Sequence, residues 1–218
     1  MNIIEETNIK IINFCKEKFN NDLLFIILGG SAGKNAYIDG WSDIDYYIIT
    51  KSNQLSTIRT TKEFFKDYPV HIGLTFLSLE ELNKGLLIPR CMVTFYEIKN
   101  GLNKLIYSSS DFNLSNLKNI NVFDNVKYEI SNVIFGIKNS KYTEFRPLFK
   151  QLVLLKKLYL RMKGYVKYGY KEIDECIKQV FPEDKNSLID IFDNRNNISV
   201  EHLYSLVEEY IELLITKL

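Results

Sequence analysis

The chain has little of what marks several common protein classes. Charge of one sign is missing: 28 Lys and Arg face 27 Asp and Glu, for a formal net charge of +1. A nucleic-acid binder ordinarily shows a basic excess or a basic stripe, so the balance argues against nucleic acid as a partner. Cysteine is scarce: Cys15, Cys91 and Cys176 lie far apart, with no Cys-x-x-Cys pair. That spacing fits neither a disulfide framework nor a zinc site. It fits three reduced thiols in a cytoplasmic protein, with Cys15 and Cys91 in the core. No apolar run approaches the ~20 residues of a membrane span, so no membrane association is expected. The opening residues MNIIEETNIK include the acids Glu5 and Glu6, unlike the basic start of a secretory signal. There is no internal repeat and no low-complexity segment.

What is present is ordinary for a globular protein: 46% apolar and 25% charged residues in a chain of 218. That length holds one large domain or two small ones with real cores. Ile4, Ile11, Ile12, Cys15 and Phe19 recur at helical spacing and predict a helix over residues 3–20, weakest around Thr7 and Asn8. Leu23 to Leu28 is a continuous apolar run ending in Gly29-Gly30, the pattern of a buried strand. Asp43 to Thr50 and Val70 to Leu77 read as further strands, with a helix over Gln54 to Phe65 between them. Ser78, followed by Glu80 and Glu81, reads as a helix N-cap and first turn. Met92 to Ile98 and Leu102 to Ser108 flank Asn100-Gly101, which predicts a hairpin.

Beyond about residue 115 strand signals stop. Val122, Val126, Ile130, Val133 and Ile137 form a helical stripe, and residues 147–163, 170–181 and 199–217 continue the pattern. Asp184 to Asp193 reads as a shorter helix, and Gly164 with Tyr165 and Tyr168 as a helix end. The expectation is an α+β chain: a small mixed β-sheet domain over residues 1–114, then an all-helical bundle over 115–218. The polar segment from Ser108 to Asn121 is the natural boundary.

The chemistry is concentrated in LLFIILGGSAGKNAYIDGWSDIDYYIIT, from Leu23 to Thr50. An apolar strand runs into Gly29-Gly30-Ser31, and Ser42-Asp43-Ile44-Asp45 opens the next strand. Side chains alternate along a strand, so Asp43 and Asp45 share one face. Two carboxylates that close repel unless a cation lies between them. Oxygen ligands favour Mg²⁺, or Mn²⁺, together with phosphate oxygens. Glycines let backbone approach a ligand, and N–H groups after Ser31 would face a phosphate if a helix begins there. Gly-Gly-Ser alone is a common turn, and Asp-x-Asp alone is often a solvated strand edge. Their joint occurrence between two strands is far more specific.

Gly-Ser, eleven residues, then Asp-x-Asp leading into an apolar strand resembles the DNA polymerase β nucleotidyltransferase superfamily. A helical second half resembles the bacterial antibiotic (aminoglycoside and lincosamide) nucleotidyltransferases. The resemblance implies transfer of a nucleoside monophosphate from a nucleoside triphosphate to a hydroxyl of a small-molecule acceptor. It places Gly30 and Ser31 on the triphosphate and Asp43 and Asp45 on Mg²⁺. A homodimer is compatible with it.

The chain departs from that pattern at one place. The superfamily usually carries a third carboxylate on the following strand, here VHIGLTFLS, where His71, Gly73 and Thr75 share a face. Three readings stay open. His71 serves as the base, with an unperturbed pKa of about 6.5 suited to that task. A Glu of the helical half serves instead, with Glu129 and Glu144 as candidates. Or the domain is a nucleotide-binding or regulatory module, antitoxin-like, with little catalysis.

In residues 147–163, Lys150, Lys157 and Arg161 share a polar face, whereas Lys156 falls inside the apolar stripe. A lysine there must be paired, snorkel to water, or face a cleft where it could meet the triphosphate. Tyr47 shares the face of Asp43 and Asp45 and could border an acceptor pocket. Trp41, just before them, could stack on a ring. Each is more often packing.

Overall fold

A computed structural model of the chain describes residues 2–84, 91, 94–95, 97–98, 101–109 and 122–218, the side chains of 122–125 aside. The chain divides into two compact units, Met1–Ile120 and Asn121–Leu218. The expected boundary, Ser108 to Asn121, falls almost wholly outside the described residues.

The first unit opens with α1 (Ile3–Phe19), capped by a reciprocal pair of bonds between Asn2 and Glu5. Thr7, in the gap of the apolar stripe, is nonetheless buried, because its hydroxyl donates to the Ile3 carbonyl at 2.6 Å. Four strands follow: β1 (Leu23–Leu28), β2 (Ile44–Thr50), β3 (Ile72–Ser78) and β4 (Lys104–Ser108). They form one sheet in the order β3-β2-β1-β4. β1 is antiparallel to both β2 and β4, while β2 and β3 are parallel, joined by α2 (Leu55–Phe65). The sheet is therefore mixed. Every residue of β1 is buried, as its unbroken apolar run requires of a central strand.

Alternation along the strands builds two apolar layers. Ile26, Leu28, Ile44, Tyr46 and Ile48 pack with Ile11, Cys15 and Phe19 of α1 and Phe65 of α2. Phe25, Ile27, Tyr47 and Ile49 pack on the other face with Leu82, Cys91, Phe95 and Ile98. α3 (Leu79–Lys84) begins at Ser78, whose side chain and backbone N–H exchange hydrogen bonds with Glu81.

The expected hairpin is not formed. Cys91, Thr94, Phe95, Glu97 and Ile98 are helical, and Met92, Val93, Tyr96 and Asn100 lie outside the described residues. Gly101 has φ +72°, its N–H donates to the Ile98 carbonyl, and the Leu102 N–H donates to Glu97. That pair of bonds is a Schellman helix end. Gly101 therefore marks a helix C-terminus, and β4 pairs with β1 instead.

The second unit is helical: α4 (Val122–Asn139), α5 (Phe145–Met162), α6 (Tyr170–Val180), α7 (Leu188–Asp193) and α8 (Val200–Ile215). α5 carries its core, packing against α4, α6 and α8. A second Schellman end closes α5 at Gly164, with φ +84° and Tyr165 N–H donating to Leu160. Asp174 of α6 is buried and accepts from the Ser187 hydroxyl and from the N–H groups of Leu188 and Ile189, holding the start of α7. No helix among the described residues is long and apolar enough to cross a membrane.

Candidate active site

The turn after β1 is where the sequence concentrates glycine, and the backbone explains why. Gly30 has φ +58°, a left-handed conformation that costs a residue with a Cβ. Gly29 N–H donates to the Asp45 carbonyl at 2.8 Å, which ties the turn to β2. Ser31 precedes a single 3-10 turn, Ala32–Lys34, and its carbonyl accepts from Lys34 and Ala36 N–H groups. The condition that a helix begins at Ser31 is met only by one short 3-10 turn.

Asp45 lies against this turn. A Cβ placed on Gly30 would fall well inside 3.0 Å of Asp45 Oδ2, and one placed on Gly73 would do the same with Oδ1. The parallel register of β2 and β3 produces this: Asp45 pairs with Gly73, Ile44 with Ile72 and Tyr47 with Thr75. Asp43 sits just ahead of β2, partly exposed. His71 sits just ahead of β3, its carbonyl accepting from Ile44 N–H at 3.0 Å. Its Nδ1 lies 3.6 Å from Asp43 Oδ1, and its side chain is 75% exposed. The structure thus brings Gly30, Asp45 and Gly73 together, and sets Asp43 beside His71. Gly73, with no side chain, is the strand residue that faces Asp45.

Behind the turn is a contact that the sequence did not suggest. Lys34 Nζ lies 2.7 Å from Glu97 Oε2, and both side chains are almost fully withdrawn from water. The pair joins the turn to the helical residues after α3. Glu97 falls in the run Met92 to Ile98, which the sequence reads as a strand, so nothing in the pattern points to it.

The remaining expected residues sit elsewhere. Tyr47 is core: its hydroxyl is 3.1 Å from Thr94 Oγ1 and its ring meets Phe95 edge-on. Trp41 is half-buried in the loop before Asp43. Lys156 has no exposed surface; its ammonium lies 2.6 Å from Asp184 Oδ2 and donates to the Asn186 carbonyl. Of the alternatives open to a lysine in an apolar stripe, it takes internal pairing, within the second unit. Its charge is matched at once by Asp184. Lys150, Lys157 and Arg161 are half-buried rather than fully solvated, the last two over the Tyr168 ring. Glu129 is buried in α4, and Glu144 is exposed at the start of α5.

A cavity of about 550 Å³ adjoins the turn on the opposite side of the sheet, lined in part by Asn8, Leu28, Ala32, Asn35, Asp39 and Lys104. Of its polar groups, Lys104 donates to Asn35, and Asn8 accepts from Tyr46 of the neighbouring core. Leu28 belongs to the α1 layer, so the cavity does not open on the face that carries Asp45.

The residues present suit a magnesium ion bound jointly with phosphate. Mg²⁺ commonly takes one or two carboxylates plus phosphate oxygens and keeps water. Asp45 supplies a carboxylate against the backbone turn, and Asp43, two residues before it and beside His71, supplies the other. Among the described residues no group of three or more His, Cys, Asp or Glu gathers to enclose a metal without such a ligand.

Among solved structures, the spectinomycin adenyltransferase AAD(9) from Enterococcus faecialis, solved with ATP and spectinomycin, superposes with a TM-score of 0.60. The match covers 96% of this chain and 90% of that one, at 18% identity. The chain has the nucleotidyltransferase fold. The fold resembles that of the antibiotic nucleotidyltransferases, with an α+β portion followed by helices. A nucleotidyltransferase-like protein from Exiguobacterium sibiricum matches at a TM-score of 0.32 and 13% identity, over 98% of this chain and 75% of that one, too loosely to bear on the site. No family model and no curated protein sequence matches the chain.

Proposed function

We propose that this chain is a cytoplasmic nucleotidyltransferase that moves a nucleoside monophosphate from a magnesium-bound nucleoside triphosphate to a hydroxyl of a small molecule. The observation that carries the reading is the Asp45 carboxylate packed against Gly30, where the end of β1 meets the start of β2 in a nucleotidyltransferase fold. ATP and spectinomycin, present in the structural relative, support ATP as donor and a hydroxylated ring antibiotic as acceptor.

In this reading Asp43 and Asp45 hold the ion, which neutralises charge building on the phosphates. Gly30 and Ser31 orient the triphosphate through backbone N–H groups and the Ser31 hydroxyl. The acceptor oxygen bonds to the α-phosphorus, the bond from that phosphorus to the bridging oxygen breaks, and pyrophosphate leaves. The acceptor's proton passes to the base, for which His71 is our candidate. Its Nδ1 faces Asp43, which would orient the ring.

A second reading rests on one feature. Gly73 faces Asp45 where the superfamily resemblance would have a carboxylate. That favours a module which binds nucleotide and transfers slowly or not at all. Incubation with labelled ATP, Mg²⁺ and a panel of aminoglycoside and aminocyclitol acceptors separates the two. Labelled acceptor formed by the wild type and lost in Asp45→Asn supports the enzyme. Calorimetric binding of ATP with no labelled product supports the module. Neither binding nor transfer at saturating nucleotide rejects both.

A further inference from the structure

We propose that Gly30 and Gly73 are positioning residues: together they form a slot that fixes the plane of the Asp45 carboxylate, and thereby its grip on a divalent cation. The inference rests on the nucleotidyltransferase reading for the cation, and on geometry alone for the slot. The two carboxylate oxygens are divided between the glycines. Oδ2 occupies the space that a Cβ at Gly30 would need, and Oδ1 the space that a Cβ at Gly73 would need. Asp45 cannot evade such a Cβ by shifting its backbone. Its carbonyl is held by Gly29 N–H at 2.8 Å, and β2 is paired with β1 on one side and β3 on the other. Only the two side-chain torsions remain. A Cβ at either position would therefore have to turn the carboxylate out of its place between the two glycines.

The two glycines differ in a way that makes one the better probe. Gly30 has φ +58°, so a side chain there adds backbone strain to the collision with Asp45. Gly73 lies within β3, and its φ is not in the left-handed region. A methyl group there suits the strand backbone and trims the freedom of the unfolded chain. Gly73→Ala therefore tests the carboxylate with little else disturbed. If Gly73 merely completed the packing, the same substitution would lower the melting temperature and leave cation binding by the folded protein as it was.

The experiment measures Mn²⁺ binding by the paramagnetic resonance of free Mn²⁺, with a non-hydrolysable ATP analogue present. Wild type, Gly73→Ala, Gly30→Ala and Asp45→Asn are compared, each with a thermal melt. The expected result is a loss of Mn²⁺ affinity of about tenfold or more in Gly73→Ala, approaching that of Asp45→Asn, with a melting temperature within a few degrees of wild type. Wild-type affinity in a folded Gly73→Ala overturns the proposal. Gly30→Ala asks the same question of the other oxygen, so failure of one variant to fold leaves the other decisive. A crystal structure of Gly73→Ala needs no cation: a turned Asp45 carboxylate supports the slot, and an unmoved one refutes it. If the wild type itself ignores Mn²⁺ and nucleotide, the nucleotidyltransferase reading fails, and the crystal structure still decides the slot.

Discussion

Lys34 and Glu97 form an ion pair at 2.7 Å, with their side chains only 7% and 2% exposed. Lys34 closes the 3-10 turn that follows Ser31, and Glu97 lies at a capped helix end more than sixty residues on. Removing one partner takes away the opposite charge at 2.7 Å from a group withdrawn from water, and breaking such a buried pair costs about 3–5 kcal/mol. Lys34→Met should therefore lower the unfolding free energy, read from urea titration, by about 3–5 kcal/mol. The double variant Lys34→Met with Glu97→Leu should recover part of that loss, because neither charge of the pair remains. Nucleotide affinity should stay weakened in the double variant, since the turn has lost its tether. An affinity equal to wild type would make the pair purely a matter of stability.

Much of this arrangement was legible in the sequence, for identifiable reasons. The strand over Leu23–Leu28 was announced by its unbroken apolar run, and α1 by its stripe of Ile11, Cys15 and Phe19. The facing of Asp45 and the glycine turn followed from two strands meeting head to tail. The fate of Met92 to Ile98 was not legible. Short apolar and β-branched runs suit a buried helix as well as a strand, and Asn-Gly serves a hairpin and a helix end alike. Register was also hidden: only the paired strands decide that Gly73, rather than His71, faces Asp45. Lys156 stands out in the sequence as an anomaly, but its partner Asp184 lies in the loop before α7, although the sequence reads a helix from Asp184 onward; the helix starts only at Leu188.

Lys156→Met should be costly to the fold and neutral to the chemistry. Lys156 is wholly buried, 2.6 Å from Asp184, and close to the Tyr210 ring. The variant leaves the Asp184 carboxylate unmatched in an apolar bundle, a loss of about 3–5 kcal/mol. Asp184→Asn should partly rescue it by removing the charge. Denaturant unfolding measures the first effect, and nucleotide titration of the folded fraction the second. A fall in nucleotide affinity with little change in stability would instead restore the triphosphate contact that the sequence suggested.

His71→Ala should separate binding from catalysis. The imidazole is exposed and touches Asp43 only at 3.6 Å, so the fold gains little from it. Its loss should leave the melting temperature nearly unchanged. A lost general base ordinarily lowers kcat by about a hundredfold or more, with little change in the nucleotide dissociation constant. Single-turnover transfer of labelled nucleotide measures the rate. An unchanged rate would remove His71 from the reaction and turn attention to Glu129 and Glu144.

Alkaline pH should weaken the fold, beginning with Cys15. This residue is fully buried between α1 and the sheet, and burial pushes its thiol up to about 12 from an ordinary 9.0. Between those values the unfolded chain gives up the proton while the folded chain keeps it. The stabilisation is therefore complete below about pH 9 and is lost as pH climbs toward about 12. Tyr46, raised by burial and then by Tyr68, adds to the loss at higher pH. Tyr210, raised by burial and then by the Asp184 charge, acts in the same direction. Urea unfolding at about pH 7.5 and about pH 10 should show the wild type losing roughly 1 kcal/mol or more between them. Cys15→Ala, though less stable at both, should lose less across the interval. An equal loss in the variant would mean that Cys15 ionises as readily in the fold as in the open chain, and that the layer under α1 admits water.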